Sequence, residues 1–124
     1  MKLTILDLTG EYAIASKDGE RLFGLLYPRL KAGELVVLDF AGVRVFASPF
    51  FNASVGRLLQ DFRIEDLDRH LQYPNLTGLG LTVLKKVLKN ADQYYRNPKA
   101  REALDDLLKE SAEDVEPSDP SKSN

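Results

Sequence analysis

A continuous apolar run, Leu35–Leu38, constrains the fold more than any other part of this sequence. Strands covered by helices on both faces have such uninterrupted runs, whereas half-exposed strands alternate apolar with polar residues. Beyond a short connection, apolar residues recur at helical spacing, namely Phe51, Val55, Leu58, Leu59 and Phe62. A buried strand that leads at once into an amphipathic helix indicates an α/β fold.

Further strands and helices are predicted on both sides of this unit. The stretch Leu3–Leu8 is rich in strand-forming residues and predicts a strand, and residues 11–16 predict either a second short strand or an extended lead into a helix. The later part of the chain predicts a polar turn, then a short strand at His70–Tyr73 and a helix at Thr77–Tyr95. A final helix is predicted at Lys99–Lys109, with Asn97 as its N-cap and Pro98 at its first position.

An amphipathic helix is expected between the second and third strands. It begins at Ser16 and ends near Gly33, and its apolar face holds Leu22, Phe23, Leu26 and Leu30. Pro28 lies inside this pattern and cannot donate a helical hydrogen bond. We therefore expect the helix to break or kink just before Tyr27.

Strands that alternate with helices predict an α/β fold with a mixed β-sheet, on which the helices pack, and with an extra helix at the C-terminus. The length of 124 residues suits one domain with a single modest core. We expect that domain over residues 1–110. Residues 111–124 are acidic, include two prolines and offer almost nothing to bury, so they predict a disordered tail.

Composition and charge exclude several classes of function. The chain has no cysteine, which rules out disulfides, thiolate metal sites and cysteine nucleophiles. Residues 110–124 carry five acids and one lysine, so the net charge of −2 leaves +2 on residues 1–109, far from the charge of a nucleic-acid binder. We find neither a secretory leader nor a membrane-spanning run, so we expect a cytoplasmic protein without membrane contact.

The junction at Ser48 is the first candidate site. A serine immediately before a proline at the first helical position is typical of a helix N-cap. A phosphate at a helix N-terminus is also electrostatically tolerated, so Ser48 is either a cap or a modified, partner-facing residue. Because neighbouring helical residues point about 100° apart, Phe50 and Phe51 should not both face one core. Phe50 is then either a flanking core contact or an anchor for a partner beside Asn52.

Other polar residues predict weaker sites. Asp7 and Asp39 follow apolar strand residues, where ligand sites collect in α/β sheets, although Asp39 is also suited to bonding the turn amides around Gly42. His70, the single histidine, lacks acids at regular spacing for a metal site and lacks a nucleophile motif for hydrolysis. The stretch Gly78–Thr82 lacks the complete glycine patterns of phosphate-binding loops.

Three segments resemble one known family. "GELVVLDFAGVRVFASPFF", "AIASKDGERLFGLL" and "LQYPNL" before a long helix are similar to the STAS superfamily, named for sulfate transporters and anti-sigma factor antagonists. The chain most resembles the small bacterial STAS-like domains of unassigned function, over roughly Leu3 to Tyr95. The resemblance implies a STAS-like fold, a mixed four-stranded β-sheet flanked by helices. It also implies a non-enzymatic regulatory module that needs no cofactor and binds a protein partner, such as an ATPase-kinase or a transcription regulator.

In the phosphorylatable members, a serine or threonine at the start of the helix is modified by the partner kinase. This chain has Ala47, Ser48, Pro49 and Phe50 where those members have aspartate, serine, the acceptor and glycine. Proline thus occupies the acceptor position, and Ser48 lies one position early. The sequence leaves a small-ligand or nucleotide sensor as the alternative function, and it is compatible with a homo-oligomer formed through a strand edge.

Overall fold

The structure, a computed structural model, describes residues 1–97. The predicted helix Lys99–Lys109, the domain boundary at residue 110 and the acidic tail lie outside the described residues. The elements in chain order are β1 Lys2–Thr4, α1 Ile5–Thr9, β2 Tyr12–Ala13, α2 Ser16–Lys31, β3 Val36–Asp39, β4 Val45–Phe46, α3 Ser48–Phe51, a π-helical turn Asn52–Gly56 (the π turn), α4 Ile64–His70, β5 Leu71–Gln72 and α5 Gly78–Arg96.

The strands form two small parallel sheets. In the first, β3 lies between β1 and β5, with Leu3 opposite Leu38 and Val36 opposite Leu71. In the second, β2 pairs with β4, and Tyr12 lies opposite Val45. The α/β class is as predicted, but within residues 1–97 the mixed four-stranded sheet is replaced by parallel sheets of three and two strands.

The strand predicted at Leu3–Leu8 is wrong beyond Thr4, because residues 5–9 form α1. Gly10, with φ of +72°, ends this helix, and its amide donates to the Leu6 carbonyl at 2.8 Å. The Thr9 hydroxyl donates to the Ile5 carbonyl at 3.2 Å. These local bonds prevail over the strand preference of β-branched residues.

Helix α2 begins at Ser16 as predicted, but the expected break before Tyr27 is wrong. The helix continues through Pro28 to Lys31 because Leu26 and Leu30 are buried on one face on either side of the proline. Pro28 itself is exposed, so the backbone bond that it cannot make is lost at the solvent side. The short strand predicted as a possibility in residues 11–16 is confirmed as β2.

Sequence patterns missed β4 and α4. In α4, the Asp66 carboxylate accepts from the Arg63 amide at 3.3 Å, acidic residues occupy the first turn, and Arg69 and His70 occupy the last. The strand expected at His70–Tyr73 is confirmed as the shorter β5, and the helix expected at Thr77–Tyr95 is confirmed as α5.

The core lies where α2 packs against α3, the π turn and the strands. Its fully buried large side chains are Phe50, Phe51, Ile5, Leu22, Leu26, Leu38, Leu58, Leu59, Leu84, Val36 and Val55. Backbone contacts divide the chain into a compact unit Met1–Asp92 and a second unit Gln93–Asn124, of which the described part is the end of α5 with Asn97. Among the described helices, none has the length and apolar character needed to cross a membrane.

Candidate interaction surface

The start of α3 corrects the prediction that Ser48 caps the helix. The N-cap position belongs to Ala47, whose backbone is extended, and no side chain caps the helix there. Ser48 is instead the first helical residue, and Pro49 follows it in the first turn. Ser48 is exposed, and its side-chain hydroxyl makes no hydrogen bond with the described residues, although its carbonyl accepts from the Asn52 amide. Its hydroxyl therefore faces solvent at a helix N-terminus.

Phe50 is fully buried, so the prediction that it anchors a partner is wrong and its core alternative is confirmed. Its ring meets that of Phe51 edge-on, with the centroids 5.4 Å apart, while Phe51 stacks on Phe46 at 6.2 Å. Both rings are enclosed because α2 covers α3 closely at Gly19, which has no side chain to hold the two helices apart. Adjacent phenylalanines thus face different neighbours within one core.

Asn52 begins the π turn and is exposed, so it stays available to a partner. Within the same turn, Ser54 is fully buried, and its hydroxyl donates to the Phe50 carbonyl at 2.8 Å. A π-helical turn places one extra residue in a helix, and such turns occur frequently at functional sites. Here the π turn carries one exposed amide side chain and one buried, hydrogen-bonded hydroxyl.

Sequence patterns missed an exposed apolar surface on the smaller sheet. Tyr12 is 58% exposed, Ile14 41% and Val45 40%, and we call these three residues the sheet face. Tyr12 and Val45 share a side of the sheet because they are register partners, and Ile14 follows two residues after Tyr12 on the same side. The Ala47 amide donates to the Ala13 carbonyl at 3.1 Å, which brings the sheet face to the residues immediately before Ser48.

The alternation of residues 12–14 is the signal that could have located this face. Ala13 is completely buried between two exposed, larger apolar residues. Alternation predicts which residues share a side of a strand, but large apolar residues are normally assigned to the buried side. The assignment is reversed here because the small Ala13 side chain fits the interior.

Asp39 joins three segments at the C-terminal end of β3. Its carboxylate accepts from the Ala41 amide at 3.0 Å and from the Asn75 side-chain amide at 2.7 Å, and it pairs with the Lys2 ammonium at 3.3 Å. The Ala41 hydrogen bond, followed by those from Asn75 and Lys2, holds the pKa of the Asp39 carboxyl below its usual value of 3.8. The turn-bonding role predicted for Asp39 is therefore present.

Asp7 is an exposed residue of α1 and not, as predicted, a residue near the end of a strand. It lines an open cleft of about 340 Å³ between β1, α1 and α2. The residues around it are Lys2, Leu3, Thr4, Ile5, Asp7, Leu8, Leu22 and Leu25. Of the two predicted ligand aspartates, Asp7 lines this cleft and Asp39 does not, although Lys2 of the cleft pairs with Asp39.

No group of three or more metal-ligating side chains occurs within residues 1–97. His70 is half-buried at the end of α4, and its neighbours Asp66 and Asp68 are on the same short helix without forming such a group. The glycines of the stretch Gly78–Thr82 lie at the start of α5, where Gly80 approaches the ring of Phe46. The packing of α5 explains Gly80 without a phosphate.

Comparison with known protein families places part of the chain in one of them. A family model described as a STAS-like domain of unknown function (DUF4325) matches residues 18–80, which are 63 of the 124 residues. The matched segment runs from the first turn of α2 to the start of α5 and includes β3, β4, α3 and the π turn. No curated protein and no solved structure matches the chain.

Proposed function

The chain belongs to the family of STAS-like domains of unknown function, and from this premise we propose that it is a non-enzymatic regulatory module that binds a protein partner. The working surface is the sheet face together with Ser48 and Asn52. One observation carries the proposal: three apolar side chains are exposed side by side next to a helix start that bears a free hydroxyl.

The sheet face suits a protein partner in its chemistry. Tyrosine is among the residues that dominate binding energy at interfaces, since it offers a large apolar ring and a polar hydroxyl. Tyr12 has the most exposed ring of the described phenylalanines and tyrosines, and it lies opposite the β-branched Val45. A partner that covers this pair removes apolar surface from water, which favours association.

The hydrogen-bonded side chains of Asp39 and Ser54 support a binding role over catalysis. The Asp39 carboxylate is engaged by Ala41, Asn75 and Lys2, and its lowered pKa makes it a poor proton carrier near neutral pH. The Ser54 hydroxyl is buried and donates to a backbone carbonyl. These groups stabilise the fold, and the proposal assigns them no chemical step.

By analogy with the STAS superfamily, the partner is an ATPase-kinase or another regulator of a bacterial cytoplasm. Ser48 then supplies a site where charge changes the interaction. A phosphate on its exposed hydroxyl places roughly two negative charges beside the sheet face. A partner that covers the sheet face would have to desolvate those charges, and its affinity would fall.

Site-specific photo-cross-linking tests the proposal. A photoreactive phenylalanine analogue replaces Tyr12 in the full chain, and a second chain carries it at Leu35, an exposed leucine before β3. Each is irradiated in native lysate with and without Mg-ATP, and the products are identified by mass spectrometry. We expect a protein captured from Tyr12 but not from Leu35, and lost when Val45→Ser and Ile14→Ser are added. Equal capture at both positions, or none, contradicts the proposal.

The cleft beside Asp7 favours a second candidate, a small-ligand sensor. Its volume of about 340 Å³ falls within the range of small-molecule sites, and apolar leucines surround the polar Lys2, Thr4 and Asp7. A thermal shift with a panel of nucleotides and small metabolites separates the two functions, because a ligand far above its Kd stabilises the fold by a few kcal/mol, about 2.7 at a hundredfold excess. A shift that Leu25→Trp abolishes would favour the sensor.

A further inference from the structure

The solvent side of α5 carries lysines that form no ion pair with an acidic side chain in the described part of the chain. Within Gly78–Asp92, the exposed positions after the glycine are Leu79, Thr82, Lys85, Lys86, Lys89 and Asn90, and none is acidic. We call Leu79, Lys85, Lys86 and Lys89 the α5 face. It shares no residue with the sheet face or with the lining of the cleft, and the function proposed above assigns it no role.

These lysines differ from most cations in the described part of the chain. Six ion pairs engage Lys2, Arg21, Arg29, Arg44, Arg63 and Arg69. Lys31 and Arg57 lie over aromatic rings. Lys85, Lys86 and Lys89 make no ion pair within residues 1–97. Because Lys85 and Lys89 are four residues apart on one helix, their like charges also repel each other.

The α5 face combines this charge with one strongly exposed apolar side chain. Leu79 is 73% exposed, more than any other large hydrophobic residue that the structure describes. Lys86 lies seven residues further on, hence on the same side of the helix and about 10 Å along its axis at 1.5 Å per residue. Lys89 lies about 15 Å from Leu79 by the same rise.

We propose that the α5 face binds an acidic protein segment in which an apolar residue contacts Leu79 and carboxylates contact the lysines. An extended chain advances about 3.4 Å per residue, so the acids stand three to five residues from the apolar one. Charge complementarity selects an anionic occupant. The α5 face has no arginine, which would bind phosphates through two hydrogen bonds, and no aromatic residue, which would stack on bases. This composition disfavours nucleic acid as the occupant.

A lipid surface fits less well than a protein segment. Helices that lie on membranes insert an apolar side, and the apolar side of α5, with Leu84, Val87 and Leu88, is buried in the fold. A single exposed leucine at one end leaves little to insert. Separate surface ion pairs contribute little individually and are screened by salt, so the expected complex is weak and transient.

The probe is an acetylated, amidated peptide of sequence Leu-Gly-Gly-Glu-Glu-Glu, titrated into the ¹⁵N-labelled full chain in 50 mM NaCl. We expect saturable amide shifts confined to Leu79–Lys89, with the Kd raised about tenfold in 300 mM NaCl. The variant Lys85→Gln/Lys86→Gln/Lys89→Gln should lose these shifts and keep a dispersed spectrum, since all three side chains are exposed.

The matched control removes three cations elsewhere, as Lys17→Gln/Arg21→Gln/Arg63→Gln, and should keep the shifts. Shifts spread over all basic residues, or lost equally in both variants, overturn the proposal because they indicate simple counterion binding. Absence of shifts at millimolar peptide also overturns it. Tighter binding of a DNA duplex or of phosphatidylglycerol vesicles at the α5 face would overturn the assignment to a protein segment.

Discussion

Gly19 of α2 lies directly against the main-chain carbonyl of Phe50 in α3. A β-carbon built at Gly19 would stand 2.4 Å from that oxygen and 2.8 Å from the β-carbon of Ala53. Backbone and a β-carbon cannot move aside as a flexible side chain would. The two helices therefore approach as closely as they do because residue 19 has no side chain, and this approach encloses Phe50.

Gly19→Ala should destabilise the fold by about 1–3 kcal/mol, because the clash outweighs the higher helix propensity of alanine. The matched control is Gly24→Ala in the same helix, where a β-carbon meets nothing within 4 Å. The control should gain about 0.5–1 kcal/mol. Urea denaturation of both variants measures the difference, and equal stabilities would refute the close approach.

Phe50→Ala should cost about 3–5 kcal/mol, as expected for a fully buried aromatic side chain. Asn52→Ala, two residues on at an exposed position, should change the stability by less than about 0.5 kcal/mol. Thermal and urea unfolding measure both variants. A Phe50→Ala protein as stable as the wild type would show that Phe50 is a surface residue and not part of the core.

Ser48→Ala should leave stability within about 0.5 kcal/mol of the wild type, because Ser48 makes no capping bond. Ser48→Asp should stabilise the fold by about 0.3–1 kcal/mol at low salt, since a negative charge in the first turn complements the helix dipole. Urea denaturation at two salt concentrations tests both. A loss of about 1 kcal/mol in Ser48→Ala would identify Ser48 as the cap after all.

Asp39 should make stability depend on acid pH. Its folded pKa lies below its usual value of 3.8, so its contribution is present above that value and is lost as the pH falls through the folded pKa. Asp39→Asn should therefore flatten the decline in unfolding free energy below about pH 5. An unchanged pH profile would mean that the carboxylate bonds do not persist in solution.

The partners of Asp39 can be ranked by NMR titration of its carboxyl group. Asn75→Ala and Lys2→Gln should each raise the pKa of Asp39, because Asn75 lowers that pKa through a hydrogen bond and Lys2 lowers it through a hydrogen bond and its charge. Lys17→Gln, at an exposed residue without a bond to Asp39, serves as the control and should leave the titration unchanged. A larger rise in Lys2→Gln than in Asn75→Ala would assign Asp39 mainly to an ion pair, and no rise in either variant would contradict both bonds.

The elements that the sequence predicts correctly are those with a long hydrophobic pattern. Helices α2 and α5 each present several apolar turns, and the buried strand β3 has an uninterrupted apolar run. Strands β2 and β4 have two residues each, and they pair with partners more than thirty residues away in the chain. Hydrophobic periodicity and strand propensity depend on neighbouring residues and cannot specify pairing between distant segments. The sequence therefore did not predict β4.

The candidate surface was predictable only in part, for a similar reason. Ser48 and Asn52 could be identified because a proline marks the helix start and the apolar stripe indicates the outward positions. The burial of Phe50 depends on Gly19, thirty-one residues earlier, and no local pattern links the two. The exposure of Tyr12 depends on the small Ala13 occupying the interior in its place.

The π turn makes the number of residues in this segment as consequential as their identity. Five residues with i→i+5 bonding hold one residue more than an α-helical path would, and one residue corresponds to a rotation of about 100°. The insertion sets the rotational phase between Phe50–Phe51 on one side and Leu58–Leu59 on the other, so that both pairs are buried. Deleting a single residue here would regularise the hydrogen bonds and yet turn one apolar pair toward water, so a chain that keeps every core residue would still lose part of its core packing.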